Sequence, residues 1–227
     1  MKAELIQYIG SDIITVNAAR VSFDKESEWE YDLENEGYPG VKLGEKDIKL
    51  INYLAKHNHF TPFTHSTITM RETVPIFVAR QRFKHVVGFS YNEVSRRYVD
   101  DAPEFFVPDV WRKAAENKKQ GSLEESIDHP QHVNRDYDFA IQACVVAYNT
   151  MLKAGVAPEQ ARMVLPQSMY TSYYTTGSLA AWARAYNLRS DPHSQKEIQD
   201  LAAQWHNIIS GISELKYSWA ALTNQEV

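Results

Sequence analysis

The sequence predicts a mixed α/β (α+β) protein, a mostly antiparallel sheet flanked by helices within one domain spanning residues 1–227. Three observations predict it. Residues Ser66 to Val74 alternate as a strand does, with Ile68 and Met70 opposite Thr67, Thr69 and Arg71. Residues Ser168 to Thr176 are rich in Tyr and Thr, which favour a pleated sheet. Asp47 to His57 carries Ile48, Ile51, Leu54 and Ala55 at helical spacing. No repeat, low-complexity tract or change of composition divides the chain.

The remaining elements follow in order. Residues 2–8 read as an edge strand, and Asp12 caps a short helix through Ala19. Residues 24–44 are acidic and punctuated by Gly and Pro, hence a loop. The helix 47–57 ends before Thr61-Pro62, because a residue preceding proline resists the α region. Pro75 suits the start of a helix, predicted from Ile76 to His85 and broken by Gly88. Ser90 to Val99 reads as extended, and residues 100–133 as a loop region with one short helix around Trp111. A long helix covers Asn134 to Ala154, and Pro158 opens another that Pro166 stops. Two more are read at 178–188 and 194–214, the second capped by Ser194 with Glu197 three residues on.

Composition narrows the function. The chain is 44% hydrophobic and 23% charged, as in ordinary globular proteins, and holds no apolar run of the ~20 residues a bilayer span needs. Met1-Lys2-Ala3-Glu4 opens no signal-like apolar block, so a cytoplasmic protein is expected. A single cysteine, Cys144, excludes an internal disulfide framework and a cysteine-built zinc site. It shares a helical face with Tyr137, Ile141, Val145 and Tyr148, which predicts a buried thiol rather than a nucleophile. The net charge of −5 argues against a polyanion binder. Yet residues 80–98 hold five cations, Arg80, Arg82, Lys84, Arg96 and Arg97, against the single anion Glu93. One basic segment in an acidic protein suits a small anion held at a site.

Within that segment an extended Ser90–Tyr98 puts Glu93, Ser95 and Arg97 on one face. A carboxylate, a hydroxyl and a guanidinium in a row can hold a sugar hydroxyl and a phosphate together, Arg meeting phosphate in bidentate fashion. The plain alternative is a solvated face with an incidental ion pair. Arg80 and Lys84 lie four apart on one helix face, where like charges repel unless an anion lies between them. Arg162 and Arg189, taken singly, read as surface arginines.

Taken together, six blocks change that reading. They are Ala19-Arg20-Val21-Ser22-Phe23; His57-x-His59-x-Thr61-Pro62-Phe63-x-His65; Pro75 to Gln81; Ser90-Tyr91-Asn92-Glu93-x-Ser95-x-Arg97-Tyr98; Ala161-Arg162-x-Val164-Leu165-Pro166; and Asn187-Leu188-Arg189-Ser190-Asp191-x-His193-x-Gln195-x-Glu197-Ile198. In this order they resemble the flavin-dependent thymidylate synthases, over about residues 18 to 198. The resemblance implies that family's fold and a homotetramer with active sites between subunits. It implies reductive methylation of dUMP to dTMP with FAD, NADPH and 5,10-methylenetetrahydrofolate, without a cysteine nucleophile. By the match, dUMP contacts fall on Gln81, Arg82, Lys84, Glu93, Ser95, Arg96, Arg97, Arg162 and Arg189. Arg189 would stabilise the uracil ring as its N3 proton is lost, and Ser95 joins it as a catalytic candidate. FAD contacts fall on Ser22, His59, Thr61, Lys84, His85, Val86, Glu93, Ser178, Arg184 and Leu188. No metal is implied.

The chain departs from the family pattern in two places. Where the family has Arg-His-Arg, seven residues and Ser, this chain has Lys84-His85-Val86 and eight residues to Ser95, an insertion that Gly88-Phe89 accommodates. A literal match, Arg80-Gln81-Arg82 followed seven residues later by Ser90, is set aside because the Ser90–Tyr98 block fixes the downstream end. Arg82 is then the candidate to replace the missing guanidinium. The family's flavin-contacting Asn-x-Arg is altered to Ser178 and Ala180, with Arg184 as the candidate compensation. The rival readings are a single-stranded nucleic-acid-binding protein, since residues 80–98 mix Arg with Phe and Tyr, and a flavoprotein without methyl transfer. A metal hydrolase built on His57, His59 and His65 lacks a carboxylate at fixed spacing.

Overall fold

The computed structural model describes residues 1–32, 40–95, 97, 102–115 and 121–225. Its centre is a four-stranded antiparallel sheet of β1 (Lys2–Ile9), β4 (Thr67–Pro75), β8 (Tyr170–Ser178) and β5 (Phe89–Glu93), in the order β1-β4-β8-β5. β4 and β8 pair along their whole length, from Thr67 opposite Ser178 to Pro75 opposite Tyr170. The alternation expected in β4 is present: Ile68, Met70 and Val74 are buried while Arg71 is exposed on the other face. Glu72 also lies on the buried face, although it is a carboxylate.

Each central strand runs directly into a helix. β4 leads into α3 (Ile76–Arg82), and β8 into α6 (Leu179–Arg189). With α7 (Lys196–Ser210) and α8 (Lys216–Thr223), these cover the apolar face of the sheet around Trp182, Trp205 and Trp219, all buried. Trp182 donates its indole N–H to the Ile68 carbonyl at 3.1 Å, so the ring is packed and its polar edge satisfied. Each such side chain contributes roughly 1.5–3 kcal/mol on burial. A second apolar cluster gathers Val16 of α1 (Asp12–Arg20), Ile51 and Leu54 of α2 (Glu45–Lys56), and Phe63. Leu222 packs on both clusters.

Several boundaries move from expectation. α3 ends at Arg82, three residues early, and Lys84 and His85 continue in turns bonded to the carbonyls of Gln81 and Arg82. β5 stops at Glu93, so Ser95 and Arg97 lie beyond the strand; Arg96 and Tyr98 fall outside the described residues. No helix forms at Trp111. Instead β6 (Arg112–Ala114) pairs with β7 (Ser122–Ser126). A further pair, β2 (Glu30–Asp32) and β3 (Gly40–Lys42), occupies part of the expected 24–44 loop. The long helix α4 starts early, at Pro130, and runs to Lys153, followed by α5 (Pro158–Ala161). Only Ile141 and Tyr148 of α4 are buried, and Cys144 is half-buried rather than buried, because the helix packs by one narrow face.

Ser194 is not a side-chain cap of α7. The helix begins two residues later, at Lys196 after Gln195; Ser194 donates to the Leu188 carbonyl at 3.0 Å, and Glu197 pairs with Arg112. Asp12 likewise does not cap its own helix. Its carboxylate accepts from the backbone N–H groups of Tyr217 (3.0 Å) and Ser218 (2.8 Å), the first turn of α8, 205 and 206 residues away. The negative group thus meets the positive end of a distant helix. Asp12→Ala should lower stability by about 1–2 kcal/mol, the usual cost of a lost helix cap. Urea unfolding followed by circular dichroism checks this, and a midpoint identical to that of the parent chain would remove the capping role.

Candidate active site

The polar face of the sheet is floored by hydroxyls. Thr73 Oγ1 and Arg71 Nε both donate to Ser172 Oγ, each at 3.1 Å. At the edge of this floor lies a cavity of about 710 Å³ whose walls include Glu93, Ser95, Arg97, Arg162 and Thr171. Thr171 Oγ1 donates to Glu93 Oε1 at 2.6 Å and fixes that carboxylate. Ser95 Oγ accepts from Arg97 Nε at 3.2 Å and from its backbone N–H at 3.3 Å, tying the two residues past the end of β5. Arg162 arrives from the other side, at the start of the 3₁₀ turn Arg162–Val164, its Nε bonded to the Glu159 carbonyl at 3.2 Å. Four of the residues singled out in the sequence therefore meet in one place. The hydroxyls of Thr73, Thr171 and Ser172 were not foreseen. Their signal was the Thr/Ser-rich alternation of β4 and β8.

Arg189 lies elsewhere in the protomer. It lines a second cavity, also about 710 Å³, with Gln81, Arg112, Leu188, His193 and Gln195. Its Nε donates to His85 Nε2 at 2.9 Å and its Nη2 to the Gln81 carbonyl at 3.2 Å. Burial first, then the charges of Arg82, Arg189 and Arg184, push the His85 imidazole down to about 4, so it is neutral at physiological pH. Burial and Arg82 also lower the Arg189 guanidinium from its ordinary value. Gln81 Nε2 donates to Gln195 Oε1 at 2.6 Å, closing the wall between α3 and α7.

Arg82 requires a correction. It is not a ligand contact: its side chain is fully buried against the equally buried Glu72, with Nε 3.2 Å from Oε2. The guanidinium sits 4.2–5.2 Å from the ring centres of Phe89, Tyr91, Trp182 and Trp205. It therefore replaces no guanidinium in either cavity. Its signal was present, because Arg82 shares the buried face of α3 with Val78 and Ala79 at helical spacing.

The residues matched to flavin contacts divide. Ser22, His59 and Thr61 line a cavity of about 380 Å³, and Arg184 and Leu188 line a neighbouring one of about 1040 Å³ with Asn52 and Lys56. The two share Asn58 and Phe60, and Leu188 is common to the larger one and the Arg189 cavity. Adjoining cavities with cationic, amide and aromatic walls suit an elongated dinucleotide. Ser178 is occupied otherwise, capping α6 by accepting from the Ala181 N–H at 3.2 Å. Lys84 and Val86 are exposed on the turn after α3, outside these cavities. Arg184 donates to the Val87 carbonyl of that same turn. His57 and His59 pack around Tyr53, their ring centres 4.3 and 6.0 Å from its own.

Known proteins resemble this chain in sequence and in fold. A family model described as thymidylate synthase complementing protein matches residues 4–213. A protein from Thermosipho africanus named flavin-dependent thymidylate synthase is 40% identical over 207 residues, 90% of this chain and 83% of that one. A protein of the same name from Thermotoga neapolitana is 39% identical over 199 residues, 88% of this chain and 81% of that one. The crystal structure of a UMP/dUMP methylase, PolB from Streptomyces cacaoi, bound with 5-Br dUMP, superimposes with a TM-score of 0.82 at 31% identity, covering 99% of this chain and 95% of that chain.

The His85 environment carries a pH signature. An imidazole held at about 4 when folded, against an ordinary 6.5, binds its proton more weakly in the native state. Its contribution to stability is fully present above about pH 6.5 and is lost as pH falls toward 4. Urea midpoints measured between pH 7.5 and 4.5 should fall for the parent chain and fall less for His85→Gln. Equal slopes in both proteins would remove the assignment.

Proposed function

We infer the function from one premise: the chain belongs to the flavin-dependent thymidylate synthase family. It is a flavin-dependent methyltransferase that converts dUMP to dTMP. In finer detail, FAD is the flavin, 5,10-methylenetetrahydrofolate the carbon donor and NADPH the reductant, and the enzyme works as a cytoplasmic homotetramer without a nucleic-acid partner. The observation that carries the nucleotide reading is the meeting of Glu93, Ser95, Arg97 and Arg162 around one cavity.

A nucleoside monophosphate presents a dianion, a sugar hydroxyl and a ring. Arg97 and Arg162 supply the planar forks that suit the phosphate, while Glu93 and Ser95 suit the sugar. Turning a methylene at the formaldehyde level into a methyl requires a hydride, and uracil C5 must give up its proton. The flavin, when bound, supplies that hydride. Arg189 supplies a fixed positive charge to an N3-deprotonated uracil ring, which makes C5 nucleophilic without an enzyme thiol. Cys144, half-buried on α4, is absent from the walls of both cavities. Ser22, His59, Thr61, Arg184 and Leu188 would hold the dinucleotide cofactor along the adjoining cavities that lead to Arg189.

In one protomer the Arg97–Arg162 cavity and the Arg189 cavity are separate. We propose that a complete site combines the first from one subunit with the second from another. Exposed apolar side chains support this assembly: Phe139 and Val146 on α4 are 76% and 63% exposed, and Met163, beside Arg162, is 74% exposed.

Two experiments test the reading. Arg162→Ala and Arg189→Ala should each be inactive as pure proteins. Dissociated and reassociated together in equal amounts, they should recover about a quarter of the parental activity, since random assembly leaves that share of sites with both halves intact. No recovery from mixed tetramers verified by mass would mean each site is built within one subunit. Separately, Ser95→Ala should weaken dUMP binding about tenfold, a loss of a hydrogen bond to a charged or polar ligand, with unchanged flavin content. Calorimetric titration giving the parental dUMP affinity would remove Ser95 from the substrate site.

A further inference from the structure

Arg189 is a long side chain at the C-terminal end of α6, and catalysis by a fixed charge depends on where that charge is held. We propose that His85 is a positioning residue for Arg189: its Nε2 accepts from Arg189 Nε at 2.9 Å and aims the guanidinium into the second cavity. The inference rests on the reading that Arg189 acts on the nucleotide ring, and assigns His85 a role other than direct flavin contact.

Four observations carry it. Two of the Arg189 nitrogens are engaged by protein, Nε by His85 and Nη2 by the Gln81 carbonyl, which fixes the plane of the fork. The His85 side chain is itself buried, so it has little surface to offer a cofactor. Its backbone is held from two sides: the His85 N–H donates to the Arg82 carbonyl at 3.1 Å, and Tyr91 donates to the His85 carbonyl at 2.8 Å. Tyr91 in turn accepts from Arg82 Nη1 at 2.5 Å, so the imidazole is anchored to the buried Glu72–Arg82 pair. The charged groups facing the ring are Arg82 from α3 and Arg184 and Arg189 from α6, all cations. Burial first, and these cations after it, keep the ring neutral with one nitrogen free to accept; a protonated ring would set donor against donor.

Three variants separate this role from the others. His85→Leu removes the acceptor. His85→Asn and His85→Gln both keep an amide, but only Gln is long enough to place its oxygen where Nε2 lies. His85→Leu and His85→Asn should lower kcat on the order of a hundredfold, the scale expected when a catalytic group is displaced by about 1 Å. KM for dUMP and flavin content should change less than about threefold, and His85→Gln should recover at least about tenfold in kcat over His85→Asn. Asn and Gln variants of equal kcat overturn the proposal, as does loss of bound flavin in all three. If His85→Leu does not fold, the Asn/Gln pair decides alone. Arg189→Ala measured in parallel keeps the two readings apart. An inactive Arg189→Ala beside a fully active His85→Asn overturns only the positioning role, whereas a fully active Arg189→Ala overturns both.

Discussion

The buried ion pair between Glu72 and Arg82 is the constraint around which the rest is arranged. Two charges without solvent are costly, and geometry must offset that cost. Here it does so from every element of the sheet layer. Glu72 of β4 receives Arg82 Nε and, at 2.5 Å, the phenol of Tyr173 on β8. Arg82 spends its remaining nitrogens on Tyr91 of β5 and Thr175 of β8. Its faces are covered by aromatic rings, which accept a cation where aliphatic packing would not. Such a pair adds little net stability over an apolar one. Its contacts nevertheless tie the end of α3 to β4, β5 and β8 together.

That placement matters because functional side chains flank Arg82 on both sides. Gln81 lines the cavity of Arg189, and the buried His85 bonds the Arg189 guanidinium from the turn that follows Arg82. At the far end of β4, β5 and β8, Glu93 and Thr171, which share the face of Glu72 and Tyr173, meet the hydroxyls of Thr73 and Ser172 from the other face around the cavity of Ser95, Arg97 and Arg162. Both faces of the sheet thus contribute to the first cavity.

The elements legible in the sequence were those with a clean period. Alternation gave β4, aromatic and Thr content gave β8, and the apolar stripe of Ile48, Ile51 and Leu54 gave α2 to within two residues. The hairpin of β6 and β7 was illegible because Arg112–Ala114 and Ser122–Ser126 are short, polar and without alternation. The residues of the first cavity were readable from one run of sequence together with the Arg162 block. Arg82 was misread because an arginine invites a ligand, while the placement of Glu72 on an apolar strand face and of Arg82 on an apolar helix face pointed to each other. The separation of Arg189 from Arg97 could not be read, since it depends on tertiary packing: Arg97 follows the end of β5, while Arg189 ends a helix and bonds to the Gln81 carbonyl of α3.

The turn after Lys84-His85-Val86 sets the register that carries Glu93. Side chains on a strand alternate, so a slip of one residue in β5 would turn Glu93 to the other face. Gly88 takes φ +79°, a conformation costly for other residues, and a Cβ there would lie 2.9 Å from that of Ala181. Phe89 then lies opposite Gly177, where any Cβ would meet its ring at 2.4 Å. A large ring that fits only over a glycine pins the pairing of β5 with β8 at its first residue, and Glu93 follows opposite Tyr173. Arg184, bonded to the Val87 carbonyl, holds the same turn down on α6. The carboxylate four residues beyond Phe89 thus stays on the side where Thr171 can reach it.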